Sequence, residues 1–322
     1  ATNAGGVRVV RYGLTRQWVL GLQVVLMSGE VLELNGDLEK NNTGIDMRQL
    51  FIGSEGTLGI ITEATLRLTP LPRSTAVALL GAENLEAILG VFEAARKNTS
   101  LTIQAFEYLS HDCLEVVLRH RGGAMPFESA CPSYVLVEVE GEDEDAAQGA
   151  LAAWLEEAFE KELVLDGVVA QSSKDAVALW ALREGISESL TREAFLYKYD
   201  VSVPVRSMAV FESALSDLAE KECKGFPLYL FGHVGDGNLH LNVLEPEGCE
   251  REAFLETCRQ AEPAIFELIR EYAGSVSAEH GIGLLKKKAL PYSRTATELR
   301  FFKSIKSALD PKGLMNPGKI ID

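Results

Sequence analysis

Apolar positions along the chain fall into alternating and continuous runs, punctuated by glycine and proline, that predict strands and helices. Val19–Met27 is apolar and β-branched, Ser28-Gly29 is a turn signal, and Val31–Leu34 resumes an alternating pattern, which together predict a hairpin. Gly53-Ser-Glu-Gly-Thr-Leu-Gly59 is a glycine-rich loop leading into Ile60-Ile-Thr62 and a strand over Ala64–Leu68. Pro70 and Pro72 close this unit, so a first domain is placed at residues 1–72. Beyond it, Ala76–Leu80, Ile103–Tyr108 and Tyr134–Val139 read as strands, and Leu85–Arg96 and Ala146–Leu163 as amphipathic helices. That alternation predicts an α+β domain over residues 73–272, with helices on one face of an antiparallel sheet. Asp175–Leu190 reads as one further helix, Tyr229–Leu244 as a hairpin, and Glu252–Tyr272 as a long helix ended by Ala273-Gly274. A C-terminal segment, 273–322, carries a basic amphipathic helix over Thr295–Leu309 followed by Asp310-Pro-Lys-Gly-Leu-Met-Asn-Pro-Gly318.

Composition narrows the function classes. A net charge of −16 opposes a polyanion, which argues against nucleic acid as a partner. The apolar runs fall far short of the ~20 residues that span a bilayer, so membrane insertion is not expected. Five cysteines without a C-x-x-C pair read as reduced structural thiols. The acidic run Gly141-Glu-Asp-Glu-Asp145 lacks the glycine and terminal glutamate of a calcium loop and reads as a solvated helix N-terminus. The chain opens without an initiator Met on Ala1-Thr-Asn-Ala-Gly-Gly6, inside a turn motif, and so reads as a processed piece.

The strongest chemical signal is Phe231-Gly-His233-Val-Gly-Asp-Gly-Asn-Leu-His240-Leu-Asn242. Asp236-Gly237 is a favoured two-residue hairpin turn, and a turn centred there sets His233 opposite His240 and Phe231 opposite Asn242, all on one face. Directly paired residues have Cβ atoms about 4.5–5.5 Å apart, close enough for two imidazoles to share one cation. A second polar cluster, Ser275-Val-Ser-Ala-Glu279-His280-Gly-Ile-Gly283, can add a carboxylate to that cation and an imidazole near a substrate. Two histidines and one carboxylate leave coordination positions open, as a catalytic ion requires. Zn²⁺, Mn²⁺ and Fe²⁺ all suit such a set. There is no G-x-G-x-x-G after a strand, no P-loop and no G-x-S-x-G elbow, which disfavours a nicotinamide enzyme.

Ala1–Gly6, Ile52–Ile61, the His233–His240 hairpin, Ala278-Glu-His-Gly281 and Leu309–Pro317 resemble the FAD-linked 2-hydroxy-acid dehydrogenases of the vanillyl-alcohol-oxidase fold group. Leu179-Trp-Ala-Leu-Arg-Glu184 and Leu196–Pro204 resemble the branch acting on D-2-hydroxyglutarate. The resemblance implies a partial FAD domain, an α+β substrate (cap) domain and a C-terminal segment returning to the flavin. Relatives in this group carry a pyrophosphate-binding glycine loop ahead of the Ala1–Gly6 segment. It also implies zinc or another divalent ion such as Mn²⁺ on His233, His240 and Glu279, with His280 as general base. Arg183, Ser187, Lys198, Asn242 and His280 are placed around a small dicarboxylate 2-hydroxy acid; the position of Ser187 usually carries Thr in the family. Thr2, Asn3, Gly56, Thr57, Gly59 and Ile61 are placed at FAD, with Asn316 near flavin and substrate. Electron-transfer flavoprotein is the implied acceptor and the mitochondrial matrix the implied setting.

Chemically, such an ion lowers the pKa of the substrate hydroxyl, His280 takes the proton, and the flavin accepts the hydride. Arg183 and Ser187 stand four apart on the predicted helix and so share a face. Two cations, Arg183 and Lys198, suit a dicarboxylate better than lactate. Arg183 also reads as a surface partner of Glu184 or Glu188, and Lys198 as protection of an edge strand. The expected reaction is oxidation of D-2-hydroxyglutarate to 2-oxoglutarate. The alternatives are a D-lactate or glycolate dehydrogenase, and a truncated, non-catalytic form that binds metal or organic acid.

Overall fold

The computed structural model describes residues 1–321. The chain divides into two compact units: one of Ala1–Gly6, Gly13–Pro70 and the chain from Ser275 onward, the other of Val7–Tyr12 and Leu71–Gly274. A short helix, α1 (Val9–Tyr12), is the first element and belongs to the second unit.

The first unit is built on β1 (Val19–Val25), β2 (Val31–Leu34), the short helix α2 (Arg48–Phe51) and β3 (Ile60–Leu66), with an antiparallel sheet of order β2-β1-β3. Alternation in β1 turns Leu22 and Val24 onto a small core with Phe51, Ile52 and Leu58. The glycine-rich loop closes against β1 at Gly59, where a Cβ would lie 2.7 Å from Val24 Cγ1, so only glycine fits there.

The second unit holds, in order, β4 (Ser74–Ala82), α3 (Leu85–Lys97), β5 (Thr102–Ser110), α4 (His111–Arg121), β6 (Ser133–Gly141), α5 (Glu144–Glu160) and β7 (Asp166–Val169). It continues with α6 (Ser173–Glu184), α7 (Ile186–Glu193), β8 (Leu196–Ser202), α8 (Met208–Glu222), β9 (Leu228–His233), β10 (Asn238–Leu244) and α9 (Arg251–Glu271). Seven strands pair in the order β7-β4-β6-β5-β9-β10-β8, every neighbouring pair antiparallel. The chain is thus α+β. Helix starts follow local chemistry: Asn84, Asp143 and Ser172 each accept a hydrogen bond from the backbone N–H three residues on. Asp143 makes the acidic run the N-terminus of α5.

Helices cover both faces of this sheet, where the strand–helix rhythm predicted one. Phe106 of β5 meets Phe92 of α3 at 4.9 Å and Trp154 of α5 at 6.5 Å between ring centroids, and Tyr199 of β8 meets Phe266 of α9 at 6.3 Å. On the opposite face Val77, Leu79, Leu109 and Leu136 pack with α4, α6 and α7. The reason is in the strands: seven successive residues are buried in β4 (Ala76–Ala82) and in β6 (Ser133–Val139), so both sides must be covered. A second correction concerns Asp175–Leu190, which is two helices, α6 and α7, broken at Gly185. A Cβ at Gly185 would sit 2.7 Å from the Ala181 carbonyl oxygen and 3.0 Å from Arg121 Nε, so glycine lets α4 approach the break.

Back in the first unit, α10 (Ala296–Leu309) starts at a capping box between Thr295 and Glu298 and adds Ile305 and Leu309 to the small core. Its last turn is tied down by Lys306, whose ammonium donates to the carbonyls of Thr57 (2.8 Å) and Met315 (2.7 Å) and to Asp310. Among the described residues no helix is long and apolar enough to cross a membrane.

Two stability effects are expected. Phe106→Ala, at the junction of three buried rings, should cost about 3–5 kcal/mol in urea unfolding followed by Trp fluorescence. Burial pushes the Asp310 carboxyl up, but Lys306 and the N–H groups of Met315 and Leu314 outweigh it and hold it below the usual carboxylate range. Its contribution is therefore full above that range and lost as pH falls through the depressed value. Acid unfolding of Asp310→Asn should lack that component, which equilibrium unfolding between pH 2 and pH 5 measures (about one carboxylate's worth of proton uptake).

Candidate active site

The hairpin of β9 and β10 carries the two histidines, but its register differs from the one the Asp236-Gly237 turn predicts. His233 stands opposite Asn238, and His240 opposite Phe231. Val234–Asp236 forms a 3-10 turn and Gly237 takes the left-handed conformation at φ +79°, so four residues make the connection and the pairing slides by two. A slip of two preserves sidedness, and both imidazoles stay on one face. They lie with Nε2 atoms 3.4 Å apart and rings nearly perpendicular at 89°.

Each ring is held from behind. His233 Nδ1 is 2.8 Å from Glu107 Oε1, and Glu107 is its neighbour across the β5–β9 pair. His240 Nδ1 is 3.6 Å from Asp200 Oδ1, and Asp200 is its neighbour across the β10–β8 pair. Asn238 Nδ2 in turn donates to Asp200 at 3.1 Å. With each Nδ1 turned to a carboxylate, the two Nε2 atoms face one another as acceptors, an arrangement that fits a cation between them. Two Zn–N bonds of about 2.0–2.1 Å at the tetrahedral angle put the nitrogens about 3.3 Å apart, close to the separation seen. Burial pulls the His233 imidazole down, but the hydrogen bond and charge of Glu107 outweigh it and leave its pKa above the ordinary value.

The same sheet face gathers the substrate candidates unevenly. Asn242, 3% exposed, follows His240 on β10 and has an Nδ2 without a hydrogen-bond partner. Lys198 stands directly across from it on the edge strand β8 and is exposed. Arg183, 6% exposed, is no surface partner of Glu184 or Glu188; its Nη2 pairs with Glu107 Oε2 at 2.7 Å, and its guanidinium lies 4.8 Å from the Phe231 ring centroid. Ser187 does not share a helix face with it: Ser187 is exposed on α7, beyond the break. Glu107 and Asp200 were not anticipated. The available signal was a lone charge inside each of two otherwise uncharged stretches, Ala105–Leu109 and Tyr199–Val203.

In the first unit, Thr2, Asn3, Ser54, Glu55, Thr57 and Glu279 line a cavity of about 440 Å³, within the range of roughly 300–1,000 Å³ for small-molecule sites. Leu58, Ile282, Phe302 and Ile305 give it apolar walls. This mixture of hydroxyl, amide and apolar lining fits part of a flavin nucleotide. Asn3, itself left-handed at φ +56°, accepts from Arg16 N at 2.9 Å. Glu55 organises the rim: its carboxylate accepts from Ile282 N (2.7 Å) and Gly283 N (2.8 Å), and its carbonyl accepts from Asn316 Nδ2. Gly281 could carry no side chain there, since a Cβ would lie 2.5 Å from Glu55 Oε1. Gly56 lies beside Asn316, Gly59 and Ile61 lie at and beyond the end of the loop against β1, and His280 is exposed next to Glu279.

A family model described as FAD linked oxidases, C-terminal domain, matches residues 71–320. The chain belongs to the FAD-linked oxidases. It is 44% identical over 319 residues to D-2-hydroxyglutarate dehydrogenase of Stutzerimonas stutzeri, covering 99% of this chain and 68% of that protein. It is 39% identical over 321 residues to the mitochondrial D-2-hydroxyglutarate dehydrogenase of Danio rerio, covering 100% of this chain and 59% of that protein. The chain thus spans about two thirds of the bacterial relative (68%) and less of the fish one (59%). Among solved structures, p-cresol methylhydroxylase with substrate bound superposes with a TM-score of 0.69 over 98% of this chain and 68% of its own, at 13% identity, a likeness of fold. This FAD-linked oxidase therefore has named relatives in bacteria and in mitochondria.

Proposed function

We propose that this chain oxidises D-2-hydroxyglutarate to 2-oxoglutarate as an FAD-dependent dehydrogenase whose substrate hydroxyl is deprotonated with the help of a divalent metal ion. The observation that carries the reading is the facing imidazole pair of His233 and His240, each backed by a carboxylate, beside the buried Asn242, whose Nδ2 has no hydrogen-bond partner. His233 and His240 hold a divalent ion, zinc or another such as manganese; Glu279 is the third ligand on the strength of the Ala278–Gly281 resemblance. Thr2, Asn3 and Thr57 hold the flavin, with Gly56, Gly59, Ile61 and Asn316 framing it. When bound, the ion lowers the pKa of the substrate hydroxyl and the flavin accepts the hydride from Cα.

The remaining work falls to side chains of this chain. His280 takes the hydroxyl proton, as an imidazole can near neutral pH. Asn242 Nδ2 and Arg183 Nε, both buried donors without a hydrogen-bond partner, bind one substrate carboxylate. Lys198, across the strand pair from Asn242, meets the second carboxylate, which selects a dicarboxylate over lactate. Ser187, exposed on α7, is assigned a hydroxyl contact with the bound acid on the strength of the family resemblance alone. Electron-transfer flavoprotein as acceptor and the mitochondrial matrix as setting follow from the family resemblance.

The test is a substrate panel on the flavin- and metal-loaded protein. D-2-Hydroxyglutarate should be turned over at least ~10-fold better than D-lactate or glycolate, and Lys198→Met should erase most of that preference, a loss of about 1–3 kcal/mol in transition-state binding. Equal turnover of lactate sinks the dicarboxylate assignment. Loss of turnover in Lys198→Met with the preference intact would remove Lys198 from the specificity role.

A further inference from the structure

Glu107 lies inside β5, is 1% exposed, and is 126 residues from His233 in sequence. Two groups of the site converge on its carboxylate: His233, whose Nδ1 lies 2.8 Å from Oε1 and 2.7 Å from Oε2, and Arg183, whose Nη2 forms an ion pair with Oε2 at 2.7 Å. The circuit closes through Phe231, whose ring is 4.8 Å from the Arg183 guanidinium and 4.9 Å from the His240 ring centroid. Asp200, the carboxylate behind His240, is set farther back at 3.6 Å.

We infer that Glu107 is a positioning residue of the metal centre, and that it joins the ion's ligand His233 to the anion-binding Arg183 as one unit. An imidazole that donates Nδ1–H to a carboxylate must present Nε2 as a lone pair, which fixes both tautomer and ring orientation. A neutral acceptor could fix the tautomer, but it could not also hold a buried guanidinium, which requires a countercharge. One carboxylate meets both needs. Arg183 consequently contributes to the order of the metal site without ligating it, because it restrains the carboxylate that restrains His233. The inference rests on the reading of His233 and His240 as metal ligands.

Glu138 provides a control. It is a buried carboxylate of the same sheet, on β6, whose partners are Arg8 and Trp180 Nε1 (2.6 Å) and not His233 or Arg183. The experiment measures Zn²⁺ affinity of the full chain by competition with a chromophoric chelator, and the visible spectrum of the Co²⁺-loaded protein. Glu107→Gln should weaken Zn²⁺ binding by roughly 10-fold or more and alter the Co²⁺ bands. Arg183→Met should weaken it by a smaller factor, and Glu138→Gln should leave both readouts unchanged. Glu107→Gln binding Zn²⁺ as tightly as the parent overturns the inference, as does Glu138→Gln weakening it equally. If near-UV circular dichroism shows Glu107→Gln unfolded, Glu107→Asp, which keeps the charge one methylene shorter, takes its place under the same criterion. A parent protein that takes up no Zn²⁺ defeats the metal reading itself; a parent that binds while the Glu107 variants bind equally defeats this inference alone.

Discussion

A carboxylate can be buried within an apolar sheet only where cations or hydrogen-bond donors are brought to it, because the desolvated charge is otherwise too costly. Glu107 imposes that condition on the second unit. It needs Arg183 delivered from α6 and His233 delivered from β9, and the seven-stranded order places β9 beside β5 to do so. Packing of α4, α6 and α7 on that face supplies the dry surroundings in which the pair is strong. The polar row across β9, β10 and β8 then follows by pairing alone: His233 with Asn238, His240 with Asp200, Asn242 with Lys198. The site is thus an extension of a sheet whose rest is ordinary core.

The first unit meets a comparable demand with backbone donors. Glu55 receives two N–H groups from the turn at 282–283, and the glycine at 281 is the opening through which that approach is made. A half-buried charge held by backbone amides needs no partner side chain, which suits a cavity rim whose remaining polar groups face a ligand. Lys306 uses the same device in reverse, fixing carbonyls of two loops from one ammonium.

What the sequence disclosed was mostly local. The β1–β2 hairpin, the long helix α9 and the capped start of α10 follow from periodicity, turn residues and caps that lie within a few positions of one another. The histidine pair was legible because a hairpin is itself local. Its register was not, since Asp236-Gly237 admits a two-residue turn and the chain instead adds a 3-10 turn before Gly237. The break at Gly185 was hidden because that residue keeps right-handed dihedrals, φ −70° and ψ −14°, and interrupts the helix without a left-handed signature. Helices α4 and α8 went unread, and so did the second covered face, whose trace was the apolar runs Ala76–Leu80 in β4 and Tyr134–Val137 in β6. Glu107 is the extreme case: its partner lies 126 residues away, and no window of sequence contains both.

The four-residue connection between β9 and β10 restricts how this hairpin can change in length. Side chains alternate along a strand, so a single-residue insertion or deletion in Val234–Gly237, if passed into β10, would turn His240 and Asn242 onto the face covered by α8 and α9 and bring Leu239 and Leu241 out in their stead. A change of two keeps every side chain where it is and shifts only which neighbours face each other. The connection therefore has to absorb any odd change in its own length, whereas an even change can also be taken up by sliding the pairing.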